Sequence, residues 1–328
     1  MRVRGDRVNF KKEKTRLLTL IVCLAVLTAA PKLSAQAVEP GAAAPLPEKH
    51  RIVLLEGYEL SAPLGAWDRV VGISSYAYDN DLLQRLVPQL REIPSPGTGF
   101  AINMEVMLAL RPDLVVTWSR KPEVLDYLKR HGIPVLSFYP ENLADLYQDL
   151  MRLGQIFGKN IRAGEVSGLI RQNLAAIQQR VANIPGERVR VVWLWGKPTI
   201  ITGNKGVTHE LINLTGGRNL GAHIDDFNRD ISMEEIVALN PEVILIWGSA
   251  IYGPDDLKRD PKWQTVQAVK QNRVFKASRA SNWSPRIVDL AWWMAHCCYP
   301  QEISRTEMLA ALRQYYNACL GIPYPEGN

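Results

Sequence analysis

The chain has 328 residues, 47% of them hydrophobic and 22% charged, which is ample for a packed core and excludes a disordered or low-complexity protein. Its 39 Lys and Arg stand against 33 Asp and Glu, a formal net charge of +6, but eight of the basic residues and only two of the acidic ones fall in residues 1–37. The rest of the chain carries 31 of each sign, so the basic balance belongs to the N-terminus and argues against nucleic-acid binding.

Residues 2–16 hold seven Lys and Arg, Leu17 to Ala30 is an apolar run of 14 residues, and Pro31 and Ala35-Gln36-Ala37 follow. That order reads as a secretory signal over residues 1–37, cleaved after Ala37, with the periplasm as the expected location. The run is short of the roughly 20 apolar residues a membrane span needs. A lipid anchor at Cys23 is the lesser reading, because Val22 stands where a small residue is expected. Residues 38–50, rich in Ala, Pro and Gly, read as a flexible tether.

From Arg51 the chain alternates short β-rich runs with helical patterns. Strands are predicted at Arg51 to Leu55, Arg69 to Ile73, Asp113 to Trp118 and Pro134 to Phe138, with helices at Asn103 to Leu110 and Glu123 to Arg130. This alternation indicates an α/β unit over residues 51–142 with a parallel sheet covered on both faces. Residues 143–183 run without proline and are rich in Leu, Ala, Gln, Arg and Glu, which predicts a connecting helix that acts as a stiff strut, weakened by Gly154, Gly158, Gly164 and Gly168. A second α/β unit is predicted over residues 184–328, with strands at Val189 to Trp195, Glu242 to Trp247 and Arg273 to Lys276 and helices at Thr208 to Leu214, Met233 to Leu239 and Pro285 to Cys298.

One phrase occurs in both halves. Asn103-Met104-Glu105 leads to Leu110-Arg111-Pro112-Asp113-Leu114-Val115-Val116; Ser232-Met233-Glu234-Glu235 leads to Leu239-Asn240-Pro241-Glu242-Val243-Ile244-Leu245. Each is a capped helix, a proline-containing stop and a buried strand, and Ser232 with Glu235 forms a capping box. Cys297, Cys298 and Cys319 permit a disulfide between one of the adjacent pair and Cys319 in an oxidising compartment. The five histidines are scattered singly, and no zinc spacing, P-loop, Gly-x-Ser-x-Gly elbow or dinucleotide fingerprint occurs, so neither a metal site nor a catalytic site is expected.

In this order and spacing the repeated phrases, together with Leu64-Gly65-Ala66-Trp67, Gly216-Gly217-Arg218-Asn219, Asp260-Pro261-Lys262-Trp263 and Trp283-Ser284-Pro285-Arg286, resemble the helical-backbone class of periplasmic binding proteins of ABC importers. That class serves ferric siderophores, haem and cobalamin. The resemblance covers about Arg51 to Pro300 and implies two lobes joined by a single long helix, a ligand cleft between them, and a monomer. It implies that the chain captures an iron complex of siderophore type and delivers it to a membrane permease, with no cofactor of its own. Cobalamin, haem and molybdate are the alternatives within the class; a chelate-handling enzyme or metallochaperone is the alternative outside it. Against cobalamin, Thr98-Gly99-Phe100 stands where cobalamin binders place a tryptophan, and Thr215 where they place a cysteine.

The resemblance also assigns Glu105 and Glu234 to docking on permease arginines, although each equally suits the first turn of its helix. Ligands of open α/β sheets sit at the carboxyl ends of the strands. The candidates there are Glu56, Tyr58, Tyr76, Tyr78, Phe100, Trp118, Tyr139, Trp195, Trp247, Tyr252, Trp283 and Arg286: aromatic rings to stack on a chelate, and one arginine to pair with an anionic group. Trp67, Trp263, Trp292 and Trp293 lie in helical stretches and are assigned to packing.

Overall fold

The structure, a computed structural model, describes residues 50–118 and 122–326, with Trp118 described by its backbone alone. The export signal expected over residues 1–37, and the tether up to residue 49, lie outside the described residues. Among the described residues no helix is long and apolar enough to cross a membrane.

The first lobe is built on four parallel strands, β1 (Ile52–Leu54), β2 (Val70–Ile73), β3 (Leu114–Trp118) and β4 (Val135–Phe138), in the order β2-β1-β3-β4. Ile52, Leu54, Leu114 and Val116 face one apolar cluster, while Val53, Leu55 and Val115 face another on the opposite side. Burial on both faces is why these strands read as continuous apolar runs rather than as an alternation. The second lobe contains β5 (Val189–Leu194), β6 (Ile200–Thr202), β7 (Gly217–Asn219), β8 (Asn228–Asp230), β9 (Val243–Ile246) and β10 (Val274–Lys276). Its parallel core, β10-β9-β5, agrees with expectation, while β7, parallel to β5 on its other side, was not expected. The sequence reading lacks β6 and β8, which add an antiparallel edge. That edge exists because residues 196–199 fold the chain straight back: the Trp195 N–H donates to the Ile200 carbonyl at 2.9 Å and the Ile200 N–H to the Lys197 carbonyl at 3.0 Å.

The helical run between the lobes resolves into two helices, Leu143–Ile156 and Asn160–Ala182. Gly158, at φ +64°, supplies the left-handed residue that ends the first. The Gly158 N–H donates to the Gln155 carbonyl at 3.1 Å and the Lys159 N–H to the Gly154 carbonyl at 2.7 Å, the paired bonds of a Schellman stop. The long connection is therefore the second helix, 23 residues, and the first folds back along it. Ile170, Leu174 and Ile177 of the long helix join one apolar cluster that takes in Leu54 and Val116 of the first sheet and Val191 and Leu245 of the second. The helices Ile287–Cys298 and Arg305–Leu320 pack on the same strut. Arg162 of the strut donates to the Pro63 carbonyl at 3.2 Å and the Cys319 carbonyl at 2.6 Å. Cys297, Cys298 and Cys319 are all free, buried thiols rather than a bridged pair, and burial pushes the Cys298 thiol up to about 12 and that of Cys319 up to about 11.

The duplicated phrase is duplicated in three dimensions. The helices Met104–Leu110 and Met233–Leu239 have seven residues each and end on Arg111 and Asn240, both left-handed at φ 44° and 42°. Asp113 accepts the Arg51 backbone N–H at 2.8 Å, and Glu242 accepts that of Arg190 at 2.9 Å. The Arg51 guanidinium donates to the Leu110 carbonyl at 2.8 Å and that of Arg190 to the Asn240 carbonyl at 3.3 Å. In each lobe, then, an arginine at the start of a central strand, Arg51 just before β1 and Arg190 within β5, caps the C-terminal carbonyls of the repeated helix, as the helix dipole favours.

The approach of the two connecting helices depends on Gly154, because a Cβ there would sit 2.4 Å from the Ala163 Cβ. Gly154→Ala should destabilise the protein by about 1–3 kcal/mol, and adding Ala163→Gly should restore part of the loss; the urea midpoints of the two variants check both.

Candidate ligand-binding site

In a parallel sheet every strand delivers its C-terminal residue to the same edge, and those edges carry most of the aromatic candidates. Tyr139, just past β4, meets Trp283 of the second lobe edge-on at 4.9 Å between ring centroids and Phe227 at 5.5 Å. Trp283 also meets Phe138 at 6.2 Å. On the second lobe Trp195, just past β5, lies 5.8 Å from Trp247, just past β9, and 5.9 Å from Trp193. The Trp195 indole N–H donates to the Thr202 hydroxyl at 2.8 Å, which fixes the ring plane. Three candidates present large exposed faces: Tyr76 at 58%, Phe100 at 44% and Trp247 at 38%. Phe100 is held at the tip of the loop bridged between Gly97 and Ile102, where the Thr98 N–H donates to the Ala101 carbonyl at 2.9 Å. Tyr58 stands half-buried near Tyr76, and burial, then the neighbouring Glu56 and Glu59 carboxylates, hold its phenol well above its ordinary range.

Other candidates are occupied by the fold. The Tyr78 hydroxyl donates to the Ile93 carbonyl at 2.6 Å, tying the turn after β2 to the chain beyond it. Tyr252 is 8% exposed and its hydroxyl donates to the Trp195 carbonyl at 2.5 Å, so it supports the Trp195 wall from behind. The side chain of Trp118, at the end of β3, lies outside the described residues. Trp263 and Trp292 are buried as expected, and Trp67 and Trp293 are packed against the core.

Arg286 departs most from expectation. It is only 4% exposed, and its guanidinium is already paired. It binds the buried Glu59 carboxylate and takes both oxygens of Asp81 at 2.8 and 2.9 Å. Burial alone would lower its pKa, but the two carboxylates outweigh that and hold the proton more firmly than usual. Arg286 lies in the second lobe and its partners in the first, so the expected anion-binding arginine is an inter-lobe tie. Behind it the Tyr316 hydroxyl donates to Asp289, whose carboxyl burial pushes up to about 7. Sequence reasoning found Arg286 but not its partners, since Glu59 and Asp81 lie 227 and 205 residues away.

Reasoning from sequence also missed Phe227 and Asn219. The Asn219 side-chain amide donates to the Gly203 carbonyl at 2.8 Å and bonds the His209 ring at 3.0 Å, which braces the second lobe's turns. Burial lowers the His209 pKa, which favours the neutral ring. Glu105 and Glu234 stand exposed at the equivalent first-turn positions of the two repeated helices. Among the described residues no three His, Cys, Asp or Glu side chains converge as a metal site.

The family model described as periplasmic binding protein matches residues 55–280. An uncharacterised ABC transporter substrate-binding lipoprotein of Bacillus subtilis, YvrC, is 24% identical over 77% of this chain and 81% of its own. The molybdate-binding protein MolA of Haemophilus influenzae is 24% identical over 74% of this chain and 77% of its own. Among solved structures, Helicobacter pylori CeuE with Ni(II) bound superposes with a TM-score of 0.77 at 27% identity, covering 84% of this chain and 92% of that one.

Arg286→Met leaves the buried Glu59 carboxylate without its counter-ion and should cost about 3–5 kcal/mol, whereas the triple change Arg286→Met, Glu59→Gln, Asp81→Asn should recover most of it; urea denaturation of both variants measures this. The Asp289 carboxyl is raised from 3.8 to about 7 in the folded protein. Its neutral form is the one the fold favours, so its contribution is fully present at low pH and is lost as pH rises towards 7. Asp289→Asn should therefore flatten the decline in stability between pH 4 and 7, read from thermal midpoints across that range.

Proposed function

Because the chain belongs to the periplasmic binding protein family, we propose that it captures a metal chelate between the aromatic ends of its two sheets and hands it to an ABC permease. The family serves transport rather than catalysis, and its members act outside the cytoplasmic membrane. A cleaved export signal over residues 1–37 would place this chain with them. The observation that carries the chelate reading is the meeting of Tyr139 from one lobe with Trp283 and Phe227 from the other, beside the Trp195–Trp247 pair. Rigid rings on facing lobes offer stacking area to a flat or bulky complex at low entropic cost. A ligand that supplies its own donor atoms needs no protein metal site. An iron complex leads the candidates. Cobalamin ranks lower, since the Gly97–Ile102 loop offers Phe100 rather than a tryptophan and Thr215 spends its hydroxyl on the Leu211 carbonyl at 2.8 Å.

Docking follows from the repeat. The same seven-residue helix presents Glu105 on one lobe and Glu234 on the other, both exposed, so two matched carboxylates orient the protein on a permease that offers arginines.

Tryptophan fluorescence and melting temperature should respond to the bound member of a panel of ferric siderophores, haem, cobalamin, molybdate and nickel(II)–histidine, with a rise of about 2.7 kcal/mol in stability at a hundredfold excess over Kd. Silence across the whole panel would refute the chelate reading. The double variant Glu105→Ala, Glu234→Ala should bind its ligand with unchanged Kd yet lose uptake in cells; a weakened Kd would contradict the docking assignment.

A further inference from the structure

Three polar groups at the strand ends of the first lobe are of no use to the fold. Ser74 follows β2 and Thr117 lies near the end of β3; both are fully buried, and among the described residues neither hydroxyl has a hydrogen-bond partner. A buried hydroxyl left without a partner costs about 1–3 kcal/mol, so alanine or valine would serve stability better at both places. The register brings them together. Leu54 pairs with Ile73 on one side and Val116 on the other, so Ser74 and Thr117 flank Leu55 on the same face of the sheet.

Glu56 completes the group. Its backbone N–H donates to the Val116 carbonyl at 3.1 Å, which sets it beside Thr117. Its carboxyl is largely buried and among the described residues no charged neighbour compensates it, so burial pushes it up to about 7. The Gly97–Ile102 loop lies over all three, held by the Ser75 N–H donating to the Gly97 carbonyl at 2.9 Å. At its centre Gly99 has no side chain, and a Cβ there would sit 3.3 Å from the Thr117 hydroxyl and 3.5 Å from the Glu56 carboxyl. Glycine at this position lets the loop close over these two groups with no side chain pressed against them.

The charges nearby favour one sign. Tyr58 and Glu59 face the site from the short helix Tyr58–Ser61, Tyr76 from the turn after β2, and Arg286 from the second lobe. Arg286 is already shared between Glu59 and Asp81. With Glu56 ionised, no cation among the described residues pairs with it, since Arg286 acts on Glu59 and Asp81 and not on Glu56. An oxyanion is repelled there, whereas a cation completes the balance.

We propose that Glu56, Ser74 and Thr117 form a polar subsite beneath the Gly97–Ile102 loop that takes a cationic N–H group of the ligand, an amine either protonated or bound to a metal ion. The subsite rests on the binding function proposed above and names the charge class it selects. A cation seated on Glu56 must displace the proton that burial places there. Binding therefore weakens as pH falls below 7, by up to about tenfold per pH unit.

Isothermal titration of the full chain with nickel(II)–histidine and with hexaamminecobalt(III), against molybdate as the anion, tests this at pH 6 and pH 8. The wild-type protein should bind a cationic probe more tightly at pH 8 than at pH 6 and take molybdate more weakly than either. Glu56→Gln should weaken the cationic probe at least tenfold and abolish the pH dependence, while raising the melting temperature at pH 8 because a buried charge is gone. Thr117→Val should weaken binding severalfold without loss of folding. Equal affinity in wild type and Glu56→Gln, preference for molybdate, or no binding of either cationic probe each overturns the subsite. If haem or a siderophore binds wild type and Glu56→Gln alike, the subsite alone fails; if the protein binds nothing in the wider panel, the binding function fails with it.

Discussion

The relation between the lobes rests on a buried charge that has to stay paired. Arg286 sits just before the helix Ile287–Cys298, where the dipole is positive and a guanidinium is out of place. It is tolerated there because Glu59 and Asp81 reach across from the other lobe. Within the closed molecule Arg286 and Glu59 are both buried, so each needs the other as its counter-ion, while the half-exposed Asp81 adds a second contact across the lobes. The apolar cluster running from the first sheet through the strut into the second acts in the same direction. The aromatic rings of the two lobes thus face one another at a spacing that the fold itself sets.

Repetition organises the outside of the molecule as the ion cluster organises the inside. Arg51 with Asp113, and Arg190 with Glu242, make the same three-way junction of strand, helix stop and helix terminus in each lobe. The junction fixes where the following strand starts, and with it the orientation of the repeated helix. Glu105 and Glu234 are therefore carried on matching rigid mounts rather than on loops. The two exposed carboxylates thus sit at equivalent positions of two equivalent helices.

Much of this was legible in the sequence, and the division between what was and what was not has a physical basis. Strands such as Leu114–Trp118 and Val243–Ile246 announce themselves because both faces are buried, and the Met233–Leu239 helix because its capping box is local. The β6–β8 edge was not legible: Ile200–Thr202 and Asn228–Asp230 are three residues each, and nothing in so short a run shows pairing across 28 positions. The break at Gly158 was visible as a glycine but not as a stop, because that role depends on bonds back to Gly154 and Gln155. At the site, aromatic residues could be placed by their position after strands. The state of a polar group could not, since Arg286 reads the same whether it awaits a ligand or is already held by Glu59. Glu56 is the converse case, a carboxylate that only the folded neighbourhood shows to be buried without a charged partner among the described residues.

The last turn of the chain lies against the first lobe. Arg85 donates to the Pro323 carbonyl at 2.6 Å, a contact that spans 238 residues, and Arg162 grips the end of the final helix through Cys319. Contacts of such long sequence separation require large loops to close before they return any energy. The first lobe and the helix Arg305–Leu320 therefore complete one another, and neither reaches its full set of bonds while the other is absent.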